Sequence, residues 1–259
     1  MTDGDFAGKV ALVTGGGSGI GRATSIAFAK AGARVAVDDI AEDGGLETVR
    51  LIEQAGGNAI FIQADVTLED AVARMVATTV QAFGRIDCAV NNAGISGGAG
   101  PEEFWNTEIF DRTFDINAKG VFLCLKHVIA QMLKQDDRGG KGRGAIVNTS
   151  SVAGMVGPGH PSYVGSKHAV TGMTRTVALR YATKGIRVNA VCPGAVRTPM
   201  VERVMKAHEA NVAIIENMHP MKRMAEAEEI ADAVLFLCSD KARFITGHPL
   251  AIDGGYLAG

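Results

Sequence analysis

The segment Lys9-Val-Ala-Leu-Val-Thr14 runs apolar and β-branched into Gly15-Gly-Gly-Ser-Gly-Ile-Gly21, and an amphipathic stretch follows at once. A short apolar run bounded by glycine reads as a strand buried on both faces. Ile20, Ala23, Ile26, Ala27 and Ala31 then recur at helical spacing, and Gly32 closes the helix. The alternation repeats along the chain, with strands over 34–39, 58–64, 86–91, 144–150, 186–191 and 249–253 and helices over 43–55, 68–83, 103–134, 161–183 and 226–239. Strands separated by helices pair parallel, and the crossovers cover both sheet faces. The pattern predicts an α/β fold, a Rossmann-like doubly wound parallel sheet of about seven strands with helices on both faces. No proline- or serine-rich linker interrupts the 259 residues, so one domain spanning 1–259 is expected.

Composition excludes several classes of function. Lys and Arg number 26 against 28 Asp and Glu, a net charge of -2, with no basic block to recruit nucleic acid. No unbroken apolar run nears the roughly 18 residues of a membrane helix. The start Met-Thr-Asp-Gly-Asp lacks a basic n-region, and a cytoplasmic location is expected. Cys88, Cys124, Cys192 and Cys238 are spaced 36, 68 and 46 apart, which fits no zinc pattern, so they are read as small buried hydrophobes and no metal is expected. Two segments break the rhythm. The polar loop 135–143 lies between a helix and the next strand, away from the ligand edge of such folds, and is read as solvated surface. Residues 195–225, with Met200, Met205, Met218, Met221 and Met224, follow a strand's C-terminal end and can cover a ligand crevice, although ordinary helix packing explains the methionines equally well.

The loop after the first strand carries the first chemistry. Gly15, Gly19 and Gly21 allow a tight turn and close backbone approach to a pyrophosphate, while Ser18, Gly19 and Ile20 open a helix whose free N–H groups hold anionic oxygens. Asp39 ends the next strand, 18 residues beyond Gly21. A carboxylate there accepts hydrogen bonds from ribose hydroxyls and repels a 2′-phosphate, and no Lys or Arg stands at 16–18 or 40–41 to receive one. NAD is therefore favoured over NADP. Strand alternation turns Asp38 to the opposite side.

The spacing Gly15-x-x-x-Gly19-x-Gly21 differs from the general dinucleotide fingerprint and resembles that of the short-chain dehydrogenase/reductase family in its compact single-domain form. The resemblance runs from Lys9 to Asp253-Gly-Gly255. It implies that Asp65 and Val66 hold the adenine and that Asn92 and Gly94, in Asn91-Asn-Ala-Gly94, lie beside the cofactor. It further implies that Pro193, Val196 and Thr198 receive the nicotinamide carboxamide. All of these positions follow strands, at the edge where open parallel sheets bind ligands.

Tyr163 and Lys167 lie four apart and share a helix face. A neighbouring ammonium favours the phenolate, so such a tyrosine can exchange a proton with an alcohol. The resemblance makes Tyr163 the acid/base and has Lys167 also bind the nicotinamide ribose. It places the substrate-polarising hydroxyl at the second serine of Ser150-Ser151-Val-Ala-Gly154. Ser151 stands 12 before Tyr163 and Ser150 stands 13 before it, the family's usual distance, yet alternation turns the two apart and Ser151 is favoured. Asn117 matches the fourth catalytic position, an amide that interrupts a helix and can hold a water relaying protons to Lys167. His160 is read as a solvent-exposed loop residue outside the catalytic set.

The resemblance thus implies an NAD-dependent enzyme moving hydride between a secondary alcohol and its ketone, in the oxidising direction. A carbonyl reductase, or an NAD-binding regulator without catalysis, are the alternatives. It also implies a homotetramer formed through helices 103–134 and 161–183 and the last strand. Ala169, Val170, Met173, Val177 and Tyr181 make an apolar stripe there, although packing on the chain's own sheet needs the same stripe. Ile95, Ser96, Val152, Ala153, His160 and the 195–225 segment are expected to line a mostly apolar pocket, suited to a cyclic or aliphatic alcohol.

Overall fold

The computed structural model describes residues 4–98, 101–140, 142–206 and 211–259. Its strands are β1 (Val10–Thr14), β2 (Arg34–Asp39), β3 (Asn58–Gln63), β4 (Cys88–Asn91), β5 (Gly144–Thr149), β6 (Ile186–Pro193) and β7 (Pro249–Ile252). They form one parallel sheet in the order β3-β2-β1-β4-β5-β6-β7. The chain winds outward one way from β1 to β3, then returns past β1 to continue from β4. The β1–β4 junction is therefore the topological switch point, where such sheets open a crevice at their C-terminal ends.

Helices cover both faces. Against one face lie α3 (Glu69–Phe83), α5 (Gly120–Met132) and α6 (Pro161–Tyr181), burying Leu12, Met75, Ile86, Val128, Met132 and Ile146. Against the other lie α1 (Gly19–Lys30), α2 (Glu42–Gln54) and α9 (Ala227–Cys238), burying Phe28, Val37, Ile52, Ile230 and Leu237 around the edge-to-face pair Phe6–Phe28. Each such side chain contributes roughly 1.5–3 kcal/mol. All four cysteines are buried as free thiols.

The expected helix over 103–134 is interrupted. A 3-10 turn at Pro101–Glu103 precedes α4 (Thr107–Phe114), which Asn106 caps by accepting the N–H of Ile109 at 3.0 Å. A π-turn at Asp115–Lys119 separates α4 from α5 and contains Asn117. The apolar stripe of α6 faces its own sheet: Val170 is buried, and Met173, Val177 and Tyr181 pack against the core. Leu179 remains 84% exposed on the outer side. In the segment after β6, α7 (Pro199–Lys206) and α8 (Asn211–Asn217) lie between the two ends of a small bridge pairing Val196 with Ala225. Residues 207–210 of that segment and Lys141 of the polar loop lie outside the described residues, as does the side chain of Met205.

Candidate active site

At the C-terminal ends of the strands a cavity of about 550 Å³ opens. Its cofactor side begins at Gly15, whose φ of +63° suits a residue without a side chain. A Cβ on Gly15 would meet Ala93 Cα at 2.8 Å, and one on Gly21 would meet Gly15 O at 2.0 Å. The loop is thereby pressed onto the helix start and onto the turn after β4. Ser18 occupies the N-cap of α1 but makes no side-chain cap, which leaves the first N–H groups for an anion.

Asn92 holds this corner together. Its Nδ2 donates to Thr14 O at 3.1 Å and Gly15 O at 3.2 Å, while the N–H groups of Asn92 and Ala93 donate to Thr14 Oγ1. Asp39 accepts from Gly17 N–H at 2.8 Å and from Ala41 N–H at 2.9 Å. Asp65 accepts from the N–H and hydroxyl of Thr67, which orients its carboxylate at the cavity wall beside Val66. Arg22 reaches the same loop from behind, and its guanidinium donates to Thr48 Oγ1 and to the carbonyls of Gly17 and Gly44.

The chemical end is built on α6. Tyr163 and Lys167 both face the cavity, with Nζ 5.6 Å from the phenol ring centroid. Burial pushes the Tyr163 phenol up, and a hydrogen bond to Ser151 pulls the other way. Lys167 is buried with its Nζ donating to Thr149 O at 2.8 Å, and burial lowers its pKa to about 8. Ser150 turns away: its hydroxyl donates to Lys167 O at 3.0 Å and meets Thr171 Oγ1 at 2.9 Å. Ser151, whose Oγ accepts the N–H of Ala153 at 3.1 Å, shares the cavity wall with Tyr163.

Among the remaining sequence candidates, Gly15, Ser18, Gly19, Ile20, Asp39, Asp65, Val66, Asn92, Gly94, Pro193, Val196 and Thr198 all line the cavity. Gly21 lies beneath it and Asn117 behind it. The Asn117 amide donates to Ile95 O at 2.9 Å and Ser166 Oγ at 3.1 Å, and accepts Ile95 N–H at 2.8 Å. Both of its donors are engaged, so this side chain splints the chain after β4 against α6. A water there is left with acceptor positions only.

Of the expected substrate wall, Ile95 lines the cavity together with Met200 and Val201 of the 195–225 segment. Ser96, Val152, Ala153 and His160 are not part of its lining. The reading of His160 as a free loop residue is corrected: it is half-buried and caps α6, with Nδ1 2.7 Å from Ser162 Oγ and Nε2 2.9 Å from Glu103 O. Proline at the first helical position after it was the sequence signal for a cap. The sequence reading missed Arg112 and Ile116, which line the cavity one helical turn apart, while Asp38, the neighbour of Asp39, is buried with its Oδ1 unpartnered. Burial, then the neighbouring Asp39, raises the Asp38 carboxyl well above the ordinary range. Among the described residues no group of His, Cys, Asp and Glu is placed to hold a metal, and no helix is long and apolar enough to cross a membrane.

A family model described as enoyl-(acyl carrier protein) reductase matches residues 15–257. The chain is 47% identical to 2,5-dichloro-2,5-cyclohexadiene-1,4-diol dehydrogenase of Sphingobium indicum, over 98% of this chain and 99% of that one. It is 38% identical to cyclohexanol dehydrogenase of an Acinetobacter species, over 97% and 96% respectively. The crystal structure of levodione reductase superposes with a TM-score of 0.92 at 39% identity, covering 98% of this chain and 99% of that one.

Proposed function

The chain belongs to the short-chain dehydrogenase/reductase family and acts on CH–OH groups, interconverting alcohol and ketone, and from that premise we propose that it oxidises a cyclic secondary alcohol with NAD. The observation that supports the chemistry is that Ser151, Tyr163 and, one helical turn on, the buried Lys167 share one cavity wall. Ser151 holds the substrate oxygen. Tyr163 takes the hydroxyl proton as the C–H bond breaks. Lys167, held at Thr149 O, favours the phenolate through its charge. Asn117 acts indirectly, by holding Ile95 and Ser166 in place.

The glycine cradle and the uncapped start of α1 fit a pyrophosphate, and Asp39 fits an unphosphorylated adenosine ribose. Asp65 and Val66 would hold the adenine, Asn92 and Gly94 the adjoining riboses, and Pro193, Val196 and Thr198 the carboxamide. The nicotinamide, when bound, supplies the hydride acceptor. Three of the five N–H donors of Arg22, on Nε and Nη2, are already directed at Thr48 and two carbonyls, which supports the reading of an unphosphorylated ribose.

The apolar wall of Ile95, Met200 and Val201 suits a carbocyclic ring, and relatives named for a cyclohexadienediol, cyclohexanol and 4-hydroxycyclohexanecarboxylate act on such rings. We read residues 1–259 as one dinucleotide-binding and catalytic domain with 195–225 as its lid. It is a homotetramer that works in the cytoplasm, where its four buried thiols stay reduced. The outward Leu179, Phe122 and Phe244 supply apolar surface for the contact between copies. Absorbance at 340 nm across cyclic and acyclic secondary alcohols, with NAD and NADP side by side, tests the reaction. Turnover with NADP alone, or none on any alcohol or ketone, overturns it. A monomer by light scattering overturns the assembly.

A further inference from the structure

The segment 193–198 reaches the cavity through Pro193, Gly194, Val196 and Thr198, yet a residue outside that cavity holds its bend. His219 follows α8 and is only 5% exposed. Its Nε2 accepts the backbone N–H of Ala195 at 3.1 Å, and its Nδ1 lies 2.8 Å from Ile215 O. Only the neutral ring with its proton on Nδ1 satisfies both contacts. The ring packs so closely on the bend that a Cβ on Gly194 would meet Nε2 at 2.5 Å. Tyr256 covers the ring's other side, with centroids 5.4 Å apart.

The surrounding hydrogen bonds make this contact a junction. Gly194 N–H donates to Ile252 O, Met221 N–H to Gly254 O, and Ala225 N–H to Ala195 O. Ala195 therefore has its carbonyl held by the far end of the 195–225 segment and its N–H held by His219. Removing the imidazole acceptor leaves that N–H without a partner, in a bend with no side chain of its own at Gly194.

We infer that His219 is a positioning residue for the nicotinamide end of the cofactor: through Nε2 it sets the path of residues 193–198, and it couples that path to α8 and to the C-terminal turn at 253–256. This rests on the proposed reading of 193–198 as the segment that receives the carboxamide. His219 touches neither cofactor nor substrate in this scheme.

Two substitutions separate the ring's two contacts. His219→Gln places an acceptor at the Nε2 position and gives up Nδ1. His219→Asn places a donor at the Nδ1 position and gives up Nε2. NADH affinity, read by fluorescence titration, should fall about tenfold in the Asn variant and stay within about threefold of wild type in the Gln variant. In steady state the Asn variant should raise the KM for the cofactor more than it lowers kcat. Amide exchange of the peptide spanning 193–198, measured without cofactor, should be slow in wild type and Gln and fast in Asn. Equal losses in both variants, or no loss in Asn, would overturn the inference. If wild type binds neither NADH nor NADPH, the cofactor reading fails instead, and the amide exchange still decides whether His219 holds the bend.

Discussion

The carboxylate of Asp39 accepts the backbone N–H of Gly17 at 2.8 Å, which ties the end of β2 to the loop before α1. The second oxygen is held by Ala41 N–H at 2.9 Å, so the charge is fixed in place before any cofactor arrives. A Cβ on Gly17 would meet that carboxylate at 2.8 Å, which shows how tightly the two segments are pressed together. On the proposed reading, replacing Asp39 by Ser removes both the ribose acceptor and the repulsion of a 2′-phosphate. We expect kcat/KM with NAD to fall about 10- to 100-fold, the value of charged hydrogen bonds, while activity with NADP holds or rises. An unchanged ratio between the two cofactors would remove Asp39 from the discrimination.

Tyr163→Phe deletes one oxygen from a site whose other groups are held independently. The rate should fall about 10²- to 10⁴-fold, the usual span for a lost general acid/base. NADH binding by fluorescence should change little. The wild-type oxidation rate should rise with pH, because burial raises the phenol and the reaction needs its deprotonated form. A Phe variant that keeps most of its turnover would move the proton transfer elsewhere.

The two serines make opposite predictions. Ser151→Ala removes the hydroxyl proposed to hold the substrate oxygen and should cost about 10²- to 10³-fold in kcat, as loss of a single oxyanion donor does. Ser150→Ala removes contacts with Lys167 O and Thr171 Oγ1, and should cost about 1 kcal/mol of stability with turnover largely kept. The reverse pattern, read by kinetics and thermal melts on both variants, would exchange their roles.

What the sequence made legible was mostly local or periodic. The Gly15–Gly21 loop, the strand alternation that turns Asp38 away from Asp39, and the one-turn spacing of Tyr163 and Lys167 all depend on neighbours within a few residues. What it hid depends on distant partners. Asn117 meets Ile95 across 22 residues, and His160 meets Glu103 across 57. Neither pairing leaves a periodic trace, so a half-buried helix cap looked like an exposed loop residue. The 103–134 stretch looked like one helix because its apolar pattern continues through the π-turn that places Asn117. His219 was invisible for the same reason: its partner Ala195 is 24 residues away.

Asp38 gives a stability prediction of definite sign. Its carboxyl is buried with Oδ1 unpartnered, and burial holds its pKa well above the ordinary carboxylate value of 3.8. The unfolded chain loses this proton first as pH rises, so the residue favours folding fully below about pH 3.8 and loses that contribution as pH climbs toward the raised value. Asp38→Asn has no proton to lose. The stability of the variant relative to wild type should therefore increase from pH 4 to pH 8, measured by urea unfolding at each pH. A difference that does not change with pH would mean the carboxyl titrates normally in the fold.

Lys167 carries the same physics with the opposite charge. Burial lowers its pKa from 10.5 to about 8, so from about pH 8 to 10.5 the unfolded chain holds a proton that the folded one has released. Stability then rises with pH across that window, and below pH 8 the fold bears the whole cost of burying an ammonium. A shift of this size corresponds to about 3 kcal/mol, and the bond to Thr149 O offsets about 1 kcal/mol of it once the lysine is present. Lys167→Met fills the same space without charge. It should abolish turnover yet raise the melting temperature of the cofactor-free protein at pH 7, by about 2–4 °C for each kcal/mol gained. Near pH 10.5 the gain should shrink, because the wild-type lysine is by then neutral in the fold. A Met variant that is inactive and no more stable at pH 7 would mean that the ammonium is compensated in the folded chain by contacts beyond Thr149.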